Sequence, residues 1–482
     1  MALGIPKKEP TAARRYLILP YLFLFGYVVL RAGTLSFTHD EALSYRILLG
    51  DTMWAHTANN HWLNTFLMGI ARRTLGEKEL ALRLPNVLAF GLYLFMLFHI
   101  LRQHPRPWSL FWGSVLLLCN PFLLDFFSLA RGYGLSMGLL MASLYFSFRS
   151  LRKYPSPQPY SRYATGSLFF AILGSLANLS LVNLLIALLI LHTALSLRIF
   201  PHLAKKERLS LFSMAFITLL TILIEGIRLY WLYQHDQLYQ GIGHLLGTVD
   251  SVVLNALYLV HYPSWLFQGI RTLILVLFFA GWLTLAFSRK RIPREFLFVA
   301  SLLTLTVGGY VLEHFLFATN YPYGRSTLPL VMLYAFFLYY LALHLAERSS
   351  DKQKKAVVIF TLLLGLPLAG LFLTTTNLTY TDPWRYDAHT KDVMMLLDEV
   401  SSPSHPVTIS NHWLFEPAIN YYILSRDMRI PLTDREGPKP GTDYIYLFAT
   451  DTLPAGYEVK VQFKDINTLL CEKAENIPAQ DK

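Results

Sequence analysis

Apolar runs of bilayer length recur along most of this chain, and basic residues gather in every second gap between them. About 20 apolar residues as a helix cross the hydrocarbon core of a bilayer. Lipid offers backbone groups no partners, so only helices or closed barrels can span it. The runs fall near 16–33, 84–102, 109–124, 132–149, 165–178, 181–199, 209–232, 269–288, 295–318, 327–346 and 356–376. Thr165 to Phe200 is too long for one helix, and we divide it at the polar turn Ala177-Asn178-Leu179-Ser180. The expectation is a polytopic α-helical membrane protein with about eleven transmembrane helices. Composition agrees: 54% of the 482 residues are hydrophobic and 15% charged, against about 25% charged in a soluble domain.

The basic residues test the division. Lys7, Lys8, Arg14 and Arg15 precede the first run; Arg102 and Arg106 follow the second; Arg149, Arg152, Lys153 and Arg162 follow the fourth. Arg198, Lys205, Lys206 and Arg208 follow the sixth; Arg289, Lys290, Arg291 and Arg294 the eighth; Arg348, Lys352, Lys354 and Lys355 the tenth. Cytoplasmic loops carry such an excess, so we expect a cytoplasmic N-terminus. The net charge of +11 is then a topology signal, and it does not call for a nucleic-acid partner. The first run continues into Arg31-Ala32-Gly33 with no small-x-small cleavage site, so it reads as a retained span. Cys119 and Cys471 lie in parts of opposite character, with neither disulfide nor metal-ligand spacing.

The remaining loops, 34–83, 125–131, 177–180, 233–268, 319–326 and everything after about 377, fall together on the opposite, periplasmic face. Leu43 to Met53 and Trp62 to Leu75 show helix-like periodicity, as for helices lying in the interface. The chain thus divides into a transmembrane part, 1–376, with an interfacial loop at 34–83, and a polar part, 377–482. In the latter, Lys391 to Val400 reads as a helix. Val407 to Ser410, Tyr444 to Phe448 and Tyr457 to Phe463 read as strands separated by Gly/Pro turns. This predicts a small C-terminal α/β extracytoplasmic domain.

Asp40 and Glu41 stand just past the first run, where charges sunk into lipid are costly and must meet water, protein or substrate. Thr38 and Glu41 fit a capping box; a carboxylate held there also suits a general base. Asp125 and Arg131 read either as an ion pair closing a turn or as a second acid with a phosphate-binding arginine, whose planar fork donates two parallel hydrogen bonds. Arg325, the one cation of its loop, either snorkels to lipid headgroups or anchors an anionic lipid head. His61 is an interfacial polar residue or a site residue.

In chain order, these elements resemble a known family. They are the acidic pair, Asn60-His61-Trp62-Leu63, Gly76-Glu77-Lys78-Glu79-Leu80-Ala81-Leu82-Arg83-Leu84-Pro85-Asn86, Ala130-Arg131-Gly132-Tyr133, and Arg325 with Leu328-Pro329. The set, over residues 16–346, resembles the GT-C integral-membrane glycosyltransferases of the protein-O-mannosyltransferase-like type, which include the lipid A aminoarabinose transferases. The resemblance implies a GT-C fold, a polyprenyl-phosphate sugar donor, and inverting transfer to a lipid, glycan or protein acceptor on the periplasmic side of a bacterial inner membrane. It implies Asp40 as the base or acceptor-orienting acid, supported by Glu41 and Asp125. Arg131 and Arg325, with Tyr133 and Tyr323 beside them, would hold the donor phosphate. His61, Asn60 and Arg83 would line the cleft. Whether a divalent metal joins the acidic pair stays open, as do the sugar and the acceptor. A transporter or lipid flippase is the alternative, but these groups gather at one interface rather than mid-membrane. A purely structural membrane protein would leave them without a purpose.

Overall fold

The structure, a computed structural model, describes residues 11–474 apart from 239, 240, 259, 261, 289–291 and 349. Lys7, Lys8, Arg289, Lys290 and Arg291, used above for topology, lie outside the described residues.

Helices occupy all eleven expected runs. In chain order the helices are α1 (Thr11–Thr34), α2 (His39–Leu48), α3 (Thr52–Ala55), α4 (Trp62–Leu75), α5 (Glu79–Leu101), α6 (Pro107–Leu118), α7 (Pro121–Phe127), α8 (Gly132–Lys153) and α9 (Pro157–Ala177). They continue with α10 (Val182–Ile199), α11 (Lys205–Gln234), α12 (Leu245–Ala256), α13 (Ser264–Phe287), α14 (Arg294–Phe317), α15 (Leu328–Arg348), α16 (Asp351–Thr375), α17 (Thr390–Val400) and α18 (Glu416–Ser425). Among the described residues, seven are individually long and apolar enough to cross a membrane, and two bent pairs raise the number to nine. The pairs are α1 with α2, bent by 72°, and α6 with α7, bent by 62°. The second bend follows from Pro121, whose missing N–H breaks the ladder, and from Asn120, whose side chain accepts the Leu123 N–H at 3.1 Å. The other two expected spans, α8 and α9, are less apolar because their serines face protein rather than lipid. Ser143, Ser147 and Ser167 are buried and hydrogen-bonded to one another across the two helices, Ser167 at 3.1 Å and 2.7 Å from its partners.

The interfacial expectation for 34–83 becomes three helices, α2 to α4, and α4 spans the expected Trp62 to Leu75. The tail carries a four-stranded sheet of β1 (Ile409–Asn411), β2 (Tyr444–Phe448), β3 (Tyr457–Phe463) and β4 (Thr468–Lys473), ordered β1-β2-β4-β3. β1 and β2 pair parallel through the α18 crossover, while β4 lies antiparallel to both its neighbours. β2, β3 and α17 fall where the periodicity predicts them; β4 and α18 are additional.

The tail is built onto the loop. Phe37, Ala42, Tyr45 and Met68 share one apolar core with Val393, Leu397, Phe415 and Tyr422. The Phe37 ring stacks on Tyr421 with centroids 3.7 Å apart, and its N–H donates to the Tyr422 hydroxyl at 2.8 Å. Glu79, at the head of α5, takes Lys391 at 3.0 Å and Arg426 at 3.1 Å. Both cations come from the tail, so the polar C-terminal part closes over the start of α2.

Candidate active site

Asp40 and Glu41 occupy the first turn of α2, and their side chains go to different partners. Glu41 is fully buried. It accepts two hydrogen bonds from Arg83 on α5, at 2.8 Å and 2.7 Å, one from the Ala130 N–H at 2.5 Å, and one from its own N-cap, the Thr38 N–H, at 3.0 Å. The Glu41 half of the capping box is therefore formed, with the Thr38 hydroxyl also donating to Glu41 at 3.0 Å. Arg83 spends its other N–H groups on the carbonyls of Ala32, Leu35 and Ser36, at 2.8–3.0 Å. This buried pair ties α1, α2, α5 and the entry to α8 together. It does not line the cleft, where the family resemblance had placed Arg83.

Asp40 turns the other way. Its Oδ2 accepts from Arg325 Nη1 at 2.8 Å and lies 3.3 Å from Arg131 Nη2. Arg131 is fully buried, and its remaining bonds go to the Asp40 carbonyl, Ser44 and Asn59. Arg325 lies between two aromatic faces, 5.6 Å from the Tyr133 centroid and 5.1 Å from that of Trp384. Burial pushes the Asp40 carboxyl up, but Arg325 and Arg131 more than offset it and hold it well below the usual carboxylate range. Asp40 keeps 10% side-chain exposure and Arg325 16%, so this ion cluster opens toward solvent.

Three glycines set the geometry. A Cβ on Gly132 would lie 1.9 Å from the Ala177 carbonyl oxygen, and one on Gly134 would lie 2.2 Å from that of Phe126. Only glycine lets the head of α8 seat Arg131 and Tyr133 this closely. Gly324, at φ 59°, makes the left-handed turn that precedes Arg325.

The other expected residues fall as follows. His61 is buried beside the cluster, edge-on to Tyr133 with centroids 4.9 Å apart, and its Nε2 has no hydrogen-bond partner. Burial, then Arg131, Arg325 and Arg228, push its imidazole well down, so it is neutral at pH 7. Asn60 is held structurally, its carbonyl accepting from Arg228 at 2.5 Å. Tyr323 is exposed at the turn before Arg325. Asp125 does not join Asp40, nor does it pair with Arg131. It takes Arg31 of α1, the Tyr258 hydroxyl at 2.5 Å and the Asp382 N–H at 3.3 Å. The chain turn after α7 carries Arg131 to α2, while Asp125, one helix earlier, faces α1.

Sequence reasoning missed the tail's contribution. Trp384 covers Arg325, and Asp387 accepts the His39 N–H at 2.7 Å, capping α2. The available signal was the segment Asp382-Pro383-Trp384-Arg385-Tyr386-Asp387, which packs acids and aromatics directly after the last span. The donor set does not fit a metal ion: Asp40 and Glu41 are committed to arginines, and no group of three or more His, Cys, Asp or Glu is arranged to hold one among the described residues.

If Glu41 is a rivet, Glu41→Gln leaves Arg83 buried without its charge partner. We expect a stability loss of about 3–5 kcal/mol, read as a lower thermal midpoint of the detergent-extracted protein. Unchanged stability with lost chemistry would instead make Glu41 a site residue.

No protein-family model matches the chain, and no curated protein matches it. Among solved structures, it is similar to ArnT from Cupriavidus metallidurans bound to undecaprenyl phosphate, at 12% identity and a TM-score of 0.54, over 96% of this chain and 98% of that one. The apo state of that ArnT aligns over the same shares at 13% identity, with a TM-score of 0.43. The likeness to the undecaprenyl phosphate complex shows the fold: this chain is a multi-pass membrane protein of GT-C type with a small C-terminal α/β region.

Proposed function

We propose that this protein is an inverting glycosyltransferase that moves a sugar from a polyprenyl-phosphate donor to an acceptor at the outer face of a bacterial inner membrane. The observation that carries this reading is the single carboxylate of Asp40 shared by two arginines, Arg131 buried and Arg325 partly exposed, at the mouth of a membrane bundle. A carboxylate with two fixed guanidiniums marks where a phosphate can bind, because both anions present oxygens to the same planar forks. The similarly folded ArnT was crystallised with undecaprenyl phosphate, which supports the donor class. The alternation of basic loops supports the outer face. Transport has weaker support, since the cluster gathers at helix ends beside the interfacial helices rather than at mid-membrane.

On this reading the events follow in order. The arriving donor phosphate competes with Asp40 for Arg325 and Arg131. As the phosphate oxygens take up the guanidinium N–H groups where they stand, Asp40 loses the hydrogen bonds that depress its basicity. The freed carboxylate then takes the proton of the acceptor hydroxyl while the acceptor oxygen attacks the anomeric carbon. The bond from that carbon to the phosphate oxygen breaks on the opposite face, so the configuration inverts. The leaving phosphate takes the electron pair, and the two arginines in a water-poor cleft stabilise its charge. Tyr133 and Trp384 keep Arg325 in line, and His61, being neutral, adds no competing charge.

Purified protein, a panel of undecaprenyl phosphate hexoses and pentoses, and membranes from cells lacking the protein test the reading. We expect transfer by the wild type and at least a hundredfold loss in Asp40→Asn, the scale of a missing general base, with a similar loss in Arg325→Ala. Full rate in a folded Asp40→Asn variant would remove Asp40 as the base, and an inert wild type would overturn the transferase reading. A reporter fused after Lys482 should read as periplasmic; a cytoplasmic signal would reverse the proposed orientation.

A further inference from the structure

His39, immediately before Asp40, is not used in the reaction above, yet its imidazole is held in one orientation. Its Nδ1 lies 2.7 Å from the carbonyl oxygen of Leu414, in the tail. A carbonyl oxygen only accepts, so Nδ1 carries the hydrogen and Nε2 is left with a bare lone pair. The residue is largely buried, at 8% exposure. Nε2 makes no hydrogen bond to a described residue and is not fully enclosed.

The surroundings hold the ring firmly. The His39 N–H is fixed by Asp387 at 2.7 Å. Trp413, from the loop after β1, stands edge-on to the ring with centroids 6.2 Å apart and is 45% exposed. Asp40, Glu416 and Arg435 are the charged groups acting on the ring, and Arg435 is engaged by Glu416 at 3.0 Å. Burial lowers the imidazole's basicity, and the Leu414 carbonyl and Asp40 only partly restore it, so the ring is neutral at pH 7.

We propose that His39 and Trp413 form the acceptor subsite, and that they take a saccharide through one of its hydroxyl groups. The inference rests on the transferase reading above. A lone pair accepts a hydrogen bond from a hydroxyl but offers nothing to a phosphate oxyanion, which has no hydrogen to give. An exposed indole beside it supplies the apolar face on which a sugar ring packs. The arginines of the Asp40 cluster serve the phosphate of the donor, and the seam between α2 and the tail serves the other substrate. His39 acts here as a positioning residue: it holds the acceptor while Asp40 receives the proton. The tail contributes Leu414 and Trp413, so it reads the acceptor as well as covering the site.

The test uses the full-length protein, the active undecaprenyl phosphate sugar from the panel, and membranes from cells lacking the protein as acceptor. Donor and membranes are titrated separately. His39→Asn keeps a donor for Leu414 but has nothing at Nε2; His39→Gln restores an acceptor near that position. We expect the half-saturating amount of membranes to rise about tenfold in His39→Asn and in Trp413→Ala, the scale of one lost hydrogen bond or ring contact. Donor half-saturation should stay at the wild-type value, and His39→Gln should recover most of the loss. Periodate treatment, which cleaves sugar diols, should abolish acceptor capacity, whereas phosphatase treatment should leave it intact. Wild-type membrane dependence in His39→Asn overturns the proposal. So does a joint shift for donor and membranes without rescue by His39→Gln, which marks a structural role. Phosphatase-sensitive acceptor capacity overturns the hydroxyl class. An inert wild type overturns the transferase reading and this inference with it; an active wild type with any of the other results overturns this inference alone.

Discussion

The ion cluster of Asp40 with Arg131 and Arg325 is the interaction on which the site depends. It joins three stretches far apart in sequence: the first turn of α2, the turn before α8 and the turn before α15. Each arginine is seated by something else. Arg131 is enclosed by backbone and by Ser44 and Asn59; Arg325 is held between Tyr133 and Trp384. Charges so placed cannot follow a substrate by much, and that fixity is what makes them effective against a developing charge. It also means that Asp40 neutralises them until an anion arrives to replace it.

The two adjacent acids divide the work because successive residues on a helix point in different directions. Glu41 faces inward and is consumed by Arg83, Thr38 and Ala130, which fixes α2 against α5 and the head of α8. Asp40 faces the cleft. A buried ion pair such as Glu41 with Arg83 adds little net stability over an apolar pair, but breaking it is costly. Its contribution is to define one orientation for α2 and so to aim Asp40. The tail adds the second constraint, capping α2 through Asp387 and sharing an apolar core with Phe37 and Tyr45.

Much of this was legible in the sequence. Run length located the helices, since backbone satisfaction in lipid leaves little choice of structure. Period-two alternation located β3, and a short aromatic and apolar run located β2. Asp40, Arg131 and Arg325 could be nominated because isolated charges at a membrane interface need a reason. Pairings were harder to read. Asp125 takes Arg31 rather than Arg131, a choice set by which side of the α7 turn faces α1 and invisible in local spacing. Trp384, Asp387 and His39 escaped notice because their roles come from the tail folding back onto α2. The strand β4 and helix α18 carry weaker periodicity and are held by the neighbours they pair and pack with.

If Asp40 and the donor phosphate compete for the same two arginines, removing the Asp40 charge should make the phosphate bind better even as transfer stops. The direct measurement is the affinity of purified wild type and Asp40→Asn for undecaprenyl phosphate. We expect binding about tenfold tighter in the variant, on the order of 1.4 kcal/mol, with no turnover. Equal or weaker binding by a folded Asp40→Asn would contradict a shared arginine site.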